Sequence, residues 1–347
     1  TTVTPNDDLG WEQSHQTDFG LDFGFFGNSL QLTADYFYKR TEGMLQVMPV
    51  PTYLGESKPW GNVGEMSNSG IELDMNYRYS IGDFNFSIGA NATYIKTILI
   101  NAGNETGILD GGSFHQMGTI TRGQNGMVYP YFYGYKTDGV FQNWDEVNSY
   151  VGADGSLIQP SAQPGDFRYQ DLDGDGKITA EGDRTNLGKC VPAWTYGVNA
   201  SIDWKGIDFS MVWQGVAGNK IFDGTRRTDI PTMNQPKYVL NRWTGEGSTN
   251  AYPRFTTTDP NQNWSKASDF FIKDASYFRL KNITLGYTLP YNWTKKVFVK
   301  KLRVYVAAEN LLTLTKYDGF DPEIAGYMDR GIYPQARTFQ FGASITF

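Results

Sequence analysis

Cysteine and histidine are nearly absent from this sequence. Cys190 is the only cysteine among 347 residues, so no intrachain disulfide can form and a cysteine-rich metal site is excluded. His15 and His115 are the only histidines, too few for a His-rich zinc centre and scant material for His-based catalysis. No apolar stretch reaches the roughly 18 residues a membrane-spanning helix needs. No Lys/Arg run occurs, and a net charge of -7 with a pI near 5.0 excludes a basic nucleic-acid face. Acidic residues number 37, yet none sits in a context that pairs a nucleophile with a base or an acid with a base, so no enzyme is expected. The opening Thr1-Thr2-Val3-Thr4 is neither an initiator methionine nor a signal peptide, as expected of a mature, processed or partial chain.

Aromatic residues and glycine, in contrast, are abundant. With 22 Tyr, 22 Phe, 9 Trp and 39 Gly, the composition suits strands and turns. Period-two alternation dominates. Phe339, Phe341, Ala343, Ile345 and Phe347 fall on one face of the last segment, and Gln340, Gly342, Ser344 and Thr346 on the other. Leu30 to Lys39, Ile71 to Tyr79 and Phe84 to Tyr94 alternate in the same way, and similar runs begin near Phe19, Tyr196, Phe209, Ile283 and Leu302. This predicts about nine strands, each near the ~9–11 residues that cross a bilayer when tilted. Tight links at Phe26-Gly27-Asn28, Ser80 to Asp83 and Lys205-Gly206, with a longer one from Pro290 to Lys300, alternate with long polar segments at 40–69, 98–190, 215–275 and 312–335. Short turns at one end and long loops at the other are the asymmetry of an outer-membrane barrel.

A soluble β-sandwich also alternates, and a secreted calcium-binding, carbohydrate-binding sandwich is the competing reading. Aromatics near strand ends favour the barrel, as interfacial girdles would (Tyr36, Tyr38, Tyr77, Tyr79, Phe84, Tyr94, Trp204). So do the small or polar opposite faces. If the short turns are periplasmic, the strand ending at Phe347 runs inward, as does the first, Thr17 to Phe25, which leaves residues 1–16 in an extracellular loop. An odd set of strands leaves open edges, each unpaired backbone group costing several kcal/mol in lipid, so the remainder of the barrel is expected on another segment.

Asp171-Leu172-Asp173-Gly174-Asp175-Gly176-Lys177-Ile178-Thr179 reads as an EF-hand-like loop. Alternating carboxylates converge on a hard cation such as Ca2+, Gly176 allows the sharp turn, and the Lys177 carbonyl is a further ligand. The acidic residue usual at position twelve is replaced by Gly182, so Asp183 is the candidate for that place in a loop spanning 171–183.

Several segments resemble the SusC/RagA family of TonB-dependent outer-membrane transporters. They are Asn62-Val63-Gly64-Glu65-Met66-Ser67-Asn68-Ser69-Gly70-Ile71-Glu72, Gly134 to Gln142, Pro164-Gly165-Asp166 followed by the acidic loop, Ala275 to Tyr287, Ala308-Glu309-Asn310-Leu311 and Tyr333 to Phe339. They occur in family order over nearly the whole chain. The resemblance implies an all-β, transmembrane antiparallel barrel, with residues 1–347 supplying about nine C-terminal strands of a 22-stranded barrel. It implies import of glycan or peptide fragments (an oligosaccharide or peptide substrate), a SusD-like lipoprotein lid, and TonB acting through an N-terminal plug absent from this sequence. Asp35, Glu72, Asp74, Arg78 and Glu309 would face the lumen, lining the pathway or bracing plug and wall. Trp60, Tyr131, Tyr133 and Trp144 would stack on sugar, seat the lid or pack loops together.

Overall fold

The computed structural model describes residues 6–47, 59–227 and 233–347. Parts of three expected loops therefore lie outside the described residues: 1–5, 48–58 and 228–232. Nine long strands form one antiparallel sheet in chain order: β1 (Gln13–Phe25), β2 (Leu30–Val47), β3 (Trp60–Ile81), β4 (Phe84–Asn101), β5 (Trp194–Trp204), β6 (Ile207–Ala217), β7 (Tyr277–Thr288), β8 (Lys301–Thr315) and β9 (Thr338–Thr346). Each strand pairs with its sequence neighbours, a simple meander with β1 and β9 at its edges.

The register turns the sequence alternation into continuous rows. One apolar row runs Phe19, Tyr36, Ile71, Tyr94, Trp194, Ala217. A second runs Phe86, Ile202, Phe209, Leu285, Val306, Phe341. Because side chains alternate across a strand, the rows between them carry the polar residues. The hairpin Trp204-Lys205-Gly206-Ile207 has two central residues at positive φ, 48° and 89°. That is the I′ geometry whose twist matches the flanking strands, and glycine takes its second position without strain.

Several strands outrun the apolar alternation that revealed them. β2 has 18 residues and β3 has 22, well beyond a membrane crossing. β1 begins at Gln13, four residues inside the expected 1–16 loop, and Trp60 opens β3 instead of standing in a loop. Once a ladder leaves the bilayer its side chains need no apolar face, yet its backbone groups still need partners. Pairing therefore continues from Tyr38 opposite Ser69 up to Val47 opposite Trp60.

The sandwich reading does not survive this arrangement. Among the described residues no second large sheet covers the first, and the apolar rows lie open: Phe19 is 65% exposed and Phe341 is 83% exposed. The buried core sits instead in the long connections. Phe114, Ile120, Phe132, Phe222, Trp264 and Phe271 form one cluster drawn from two connecting segments. Small sheets frame it. Arg184–Lys189, Tyr131–Tyr135, Thr121–Gln124 and Ile108–Asp110 make four strands, and Ile272–Asp274, Lys220–Asp223 and Met328–Asp329 make three. Among the described residues no helix is long and apolar enough to cross a membrane.

Candidate functional site

Two places carry the residues singled out above. On the polar face of the sheet, register sets Asp35 opposite Glu72, and Asp74 opposite Asn91. Arg78 stands opposite Ser87 and Glu309 opposite Asn282. The neighbours are amides and hydroxyls: Asn76 donates to Asp74 at 2.5 Å, and Thr93 to Glu72 at 3.4 Å. Among the described residues none of the five makes an ion pair. Elsewhere on this face Arg303 of β8 pairs with Asp208 of β6 across Gly286 of β7, an ion pair that braces neighbouring strands without any of the five.

The acidic loop is the second place. Oxygens of Asp171, Asp173 and Asp175 all lie within 4.8 Å of one another, a surface cluster able to chelate a divalent cation. The loop shapes itself locally. Asp171 accepts from the amides of Gly174 and Gly176 at 2.7 and 2.9 Å, and Asp175 accepts from Lys177 N at 2.8 Å. Both glycines have positive φ, 76° and 83°. Asp183 stands apart from the three. It is fully buried, and its two oxygens accept from Leu172 N at 2.7 Å and Thr179 N at 2.6 Å, tying the loop's ends together.

The loop aromatics divide into two pairs. Tyr131 and Tyr133 are buried in the connecting layer, where Arg122 and Arg184 lie 3.6 and 4.3 Å from the Tyr133 ring centre. Trp60 and Trp144 are exposed.

Sequence patterning missed the buried polar junction beneath these loops. Asp166 is wholly buried and accepts from Arg254 Nε at 2.6 Å, Asn263 Nδ2 at 2.8 Å and Gln163 N at 2.9 Å. Asn263 Oδ1 in turn accepts from Phe167 N at 2.9 Å. A similar clasp lies nearer the sheet. Arg279 of β7, 3% exposed, donates to Asp321 at 2.5 Å and to Glu323 at 2.7 Å. Burial alone would raise the Asp321 carboxyl, but donation from Arg279 and from the amides of Gln335 and Glu323 holds it below the ordinary carboxylate range. Burial pushes the Cys190 thiol far up, which makes it an inert core residue.

Comparisons with known proteins agree with this architecture. Residues 1–311 match the family model described as TonB dependent receptor-like, beta-barrel. TonB-dependent receptor P3 of Formosa agariphila is 32% identical over 99% of this chain, which covers 35% of that protein. TonB-dependent receptor SusC of Bacteroides thetaiotaomicron is 26% identical over 99% of the chain and 32% of its own length. The structure of the RagAB peptide importer in its open-open state superposes with a TM-score of 0.78 at 25% identity, over the whole of this chain and 36% of that one. The chain thus spans about a third of the length of the relatives it matches. By name these relatives are TonB-dependent receptors and a peptide importer.

Proposed function

Because the chain belongs to the TonB-dependent receptor family of outer-membrane β-barrels, we propose that it forms the C-terminal part of the barrel of a SusC/RagA-like nutrient importer. One observation carries this reading: a nine-strand antiparallel meander with apolar rows open on one face and, among the described residues, no partner on the outer side of either edge strand. Exposed apolar area on this scale is foreign to soluble monomers and natural in lipid. Unpaired edges are untenable in lipid, so further strands close the wall, in a 22-stranded barrel with an N-terminal plug.

On this reading residues 98–190 and 1–16 are extracellular, the outer ends of β4 and β1 within them included, as are the other long connections. They form a folded collar at the mouth of the barrel, where a SusD-like lipoprotein seats. TonB acts through the plug. The cargo is a peptide or oligosaccharide fragment, in keeping with a structural relative that imports peptides. The acidic loop holds Ca2+ as a structural ion, through Asp171, Asp173, Asp175 and the Lys177 carbonyl, with Asp183 fixing the loop's ends from behind.

The test is fractionation and uptake. The full-length protein should remain with outer membranes until detergent is added, and accumulation of oligosaccharide or peptide fragments should stop when TonB is deleted. A detergent-free soluble protein, or uptake unaffected by loss of TonB, would overturn the importer reading.

A further inference from the structure

A cavity of about 550 Å³ opens in the collar where the 98–190 and 215–275 connections meet. Arg184, Arg226 and Lys266, from separate stretches of chain, line it. Among the described residues none of the three makes an ion pair. Each is held by neutral groups instead. Arg184 donates to the Thr119 and Tyr133 carbonyls and lies against the Tyr133 ring. Arg226 donates to Gln235 at 2.6 Å and lies 4.5 Å from the Trp264 ring centre. Lys266 lies 4.7 Å from the centre of the Tyr169 ring and 5.1 Å from that of Tyr135.

The arrangement leaves donors unused. Nε of Arg184 and Nη1 of Arg226 are sealed from solvent with no acceptor, and Arg226 is 8% exposed. A buried donor without an acceptor is costly, and a charged one more so. Burial depresses the pKa of all three cations, the mark of charge that no neighbouring carboxylate fully offsets. Nearby acids are otherwise engaged. Asp259 also lines the cavity but accepts from Asn263 N, Trp264 N and the Ser265 hydroxyl. Asp183, which acts on Lys266 only through space, spends its oxygens on Leu172 and Thr179. Thr256, Thr257 and Thr258 also line the cavity.

We propose that this cavity binds an anionic group, a carboxylate, sulfate or phosphate, carried by the molecule being imported. Guanidinium groups supply the forked donors such oxyanions take, and the half-buried Phe255 lines the same cavity. The inference rests on the importer reading for its ligand but not for its site.

The test uses the full-length protein purified in detergent and titrated with selenate, a sulfate isostere whose anomalous scattering locates it in crystals. Selenate should bind in the cavity. Acidic oligosaccharide or acidic peptide fragments should displace it, and their neutral counterparts should not. Arg226→Gln and Lys266→Gln should each weaken binding at least about tenfold (~1.4 kcal/mol), whereas Lys296→Gln, in an exposed turn far along the chain, should leave it unchanged. Arg226→Lys keeps the charge and should retain part of the affinity, and hydrogen exchange of the collar verifies that each variant is folded. An empty cavity in selenate-soaked crystals would overturn the proposal. So would equal displacement by neutral fragments, or selenate that neither acidic class displaces, the behaviour of a site for free inorganic anions. Binding needs no TonB, so acid-selective displacement without TonB-dependent uptake would defeat the importer reading and leave the cavity standing; uptake without such displacement would do the reverse.

Discussion

Replacing Asp166 with alanine should loosen the collar while leaving the sheet untouched. The carboxylate takes four donors from three stretches of chain: Arg254 Nε and Nη2, Asn263 Nδ2 and Gln163 N. Removing one partner of a buried ion pair costs about 3–5 kcal/mol, chiefly because the other charge is left unpaired. The Arg254 side chain is 18% exposed and water can reach part of it, so the lower end, about 3 kcal/mol, is the expected value. Spread over a local opening, that is a rise of about a hundredfold in the open population. Hydrogen exchange followed by mass spectrometry reads it directly, through the amides of Phe141, Phe167 and Arg254, whose acceptors all lie in this junction. They should exchange about a hundredfold faster, with amides of β3 and β4 unchanged. Exchange within threefold of wild type would show that the carboxylate does not join the two connections, and equal loss of protection in β3 would show that collar and sheet open as one unit.

Two further outcomes follow from local chemistry. Asp321 titrates lower in the folded protein than in the unfolded chain, so it contributes stability above the ordinary carboxylate value near ~3.9, lost as pH falls through the lower folded value. Measured relative to an unfolded reference peptide, pepsin should therefore cut the 316–337 connection faster at pH 3 than at pH 5 (roughly either side of that value), and Asp321→Asn should remove that difference; equal relative cutting of the wild-type connection at the two pH values would refute the linkage. Chelator treatment should raise proteolysis within 171–183 and added calcium should restore protection, with Asp173→Asn/Asp175→Asn insensitive to both; protection indifferent to calcium would leave the loop held by its own hydrogen bonds alone.

What the sequence disclosed was whatever depends on near neighbours. Alternation from Leu30 to Lys39 or Phe84 to Tyr94 is a two-residue signal, and the paired rows carry it unchanged across the sheet. The acidic loop is equally local, since Asp171 to Lys177 close on one another within seven positions. The upper halves of β2 and β3 escaped because their backbone pairing continues after the apolar pattern stops. The collar escaped for a different reason. Asp166 meets Arg254 across 88 residues and Asn263 across 97, and no pattern in either segment announces the other. The cations of the cavity are scattered likewise, and Arg184, Arg226 and Lys266 look in sequence like ordinary surface charge.

The division of burial between sheet and collar has a mechanical consequence. The strands stay open on their apolar face, with Phe19, Tyr36, Leu73 and Phe341 all exposed, so lipid must supply much of the driving force for their burial. The collar has its own core around Phe132, Phe222 and Phe271, closed by aromatic contacts 5.1 to 5.7 Å apart such as Phe270 with Phe271 and Phe222 with Phe271. A layer with its own core keeps its shape while the wall below it meets a different solvent. It is attached where Leu99 N of β4 donates to the Met127 carbonyl and where Arg279 of β7 clasps Asp321 and Glu323, positions at the outer ends of the strands. The cavity between the 98–190 and 215–275 connections is built from the loops of two strand pairs, β4–β5 and β6–β7, that are adjacent in the sheet.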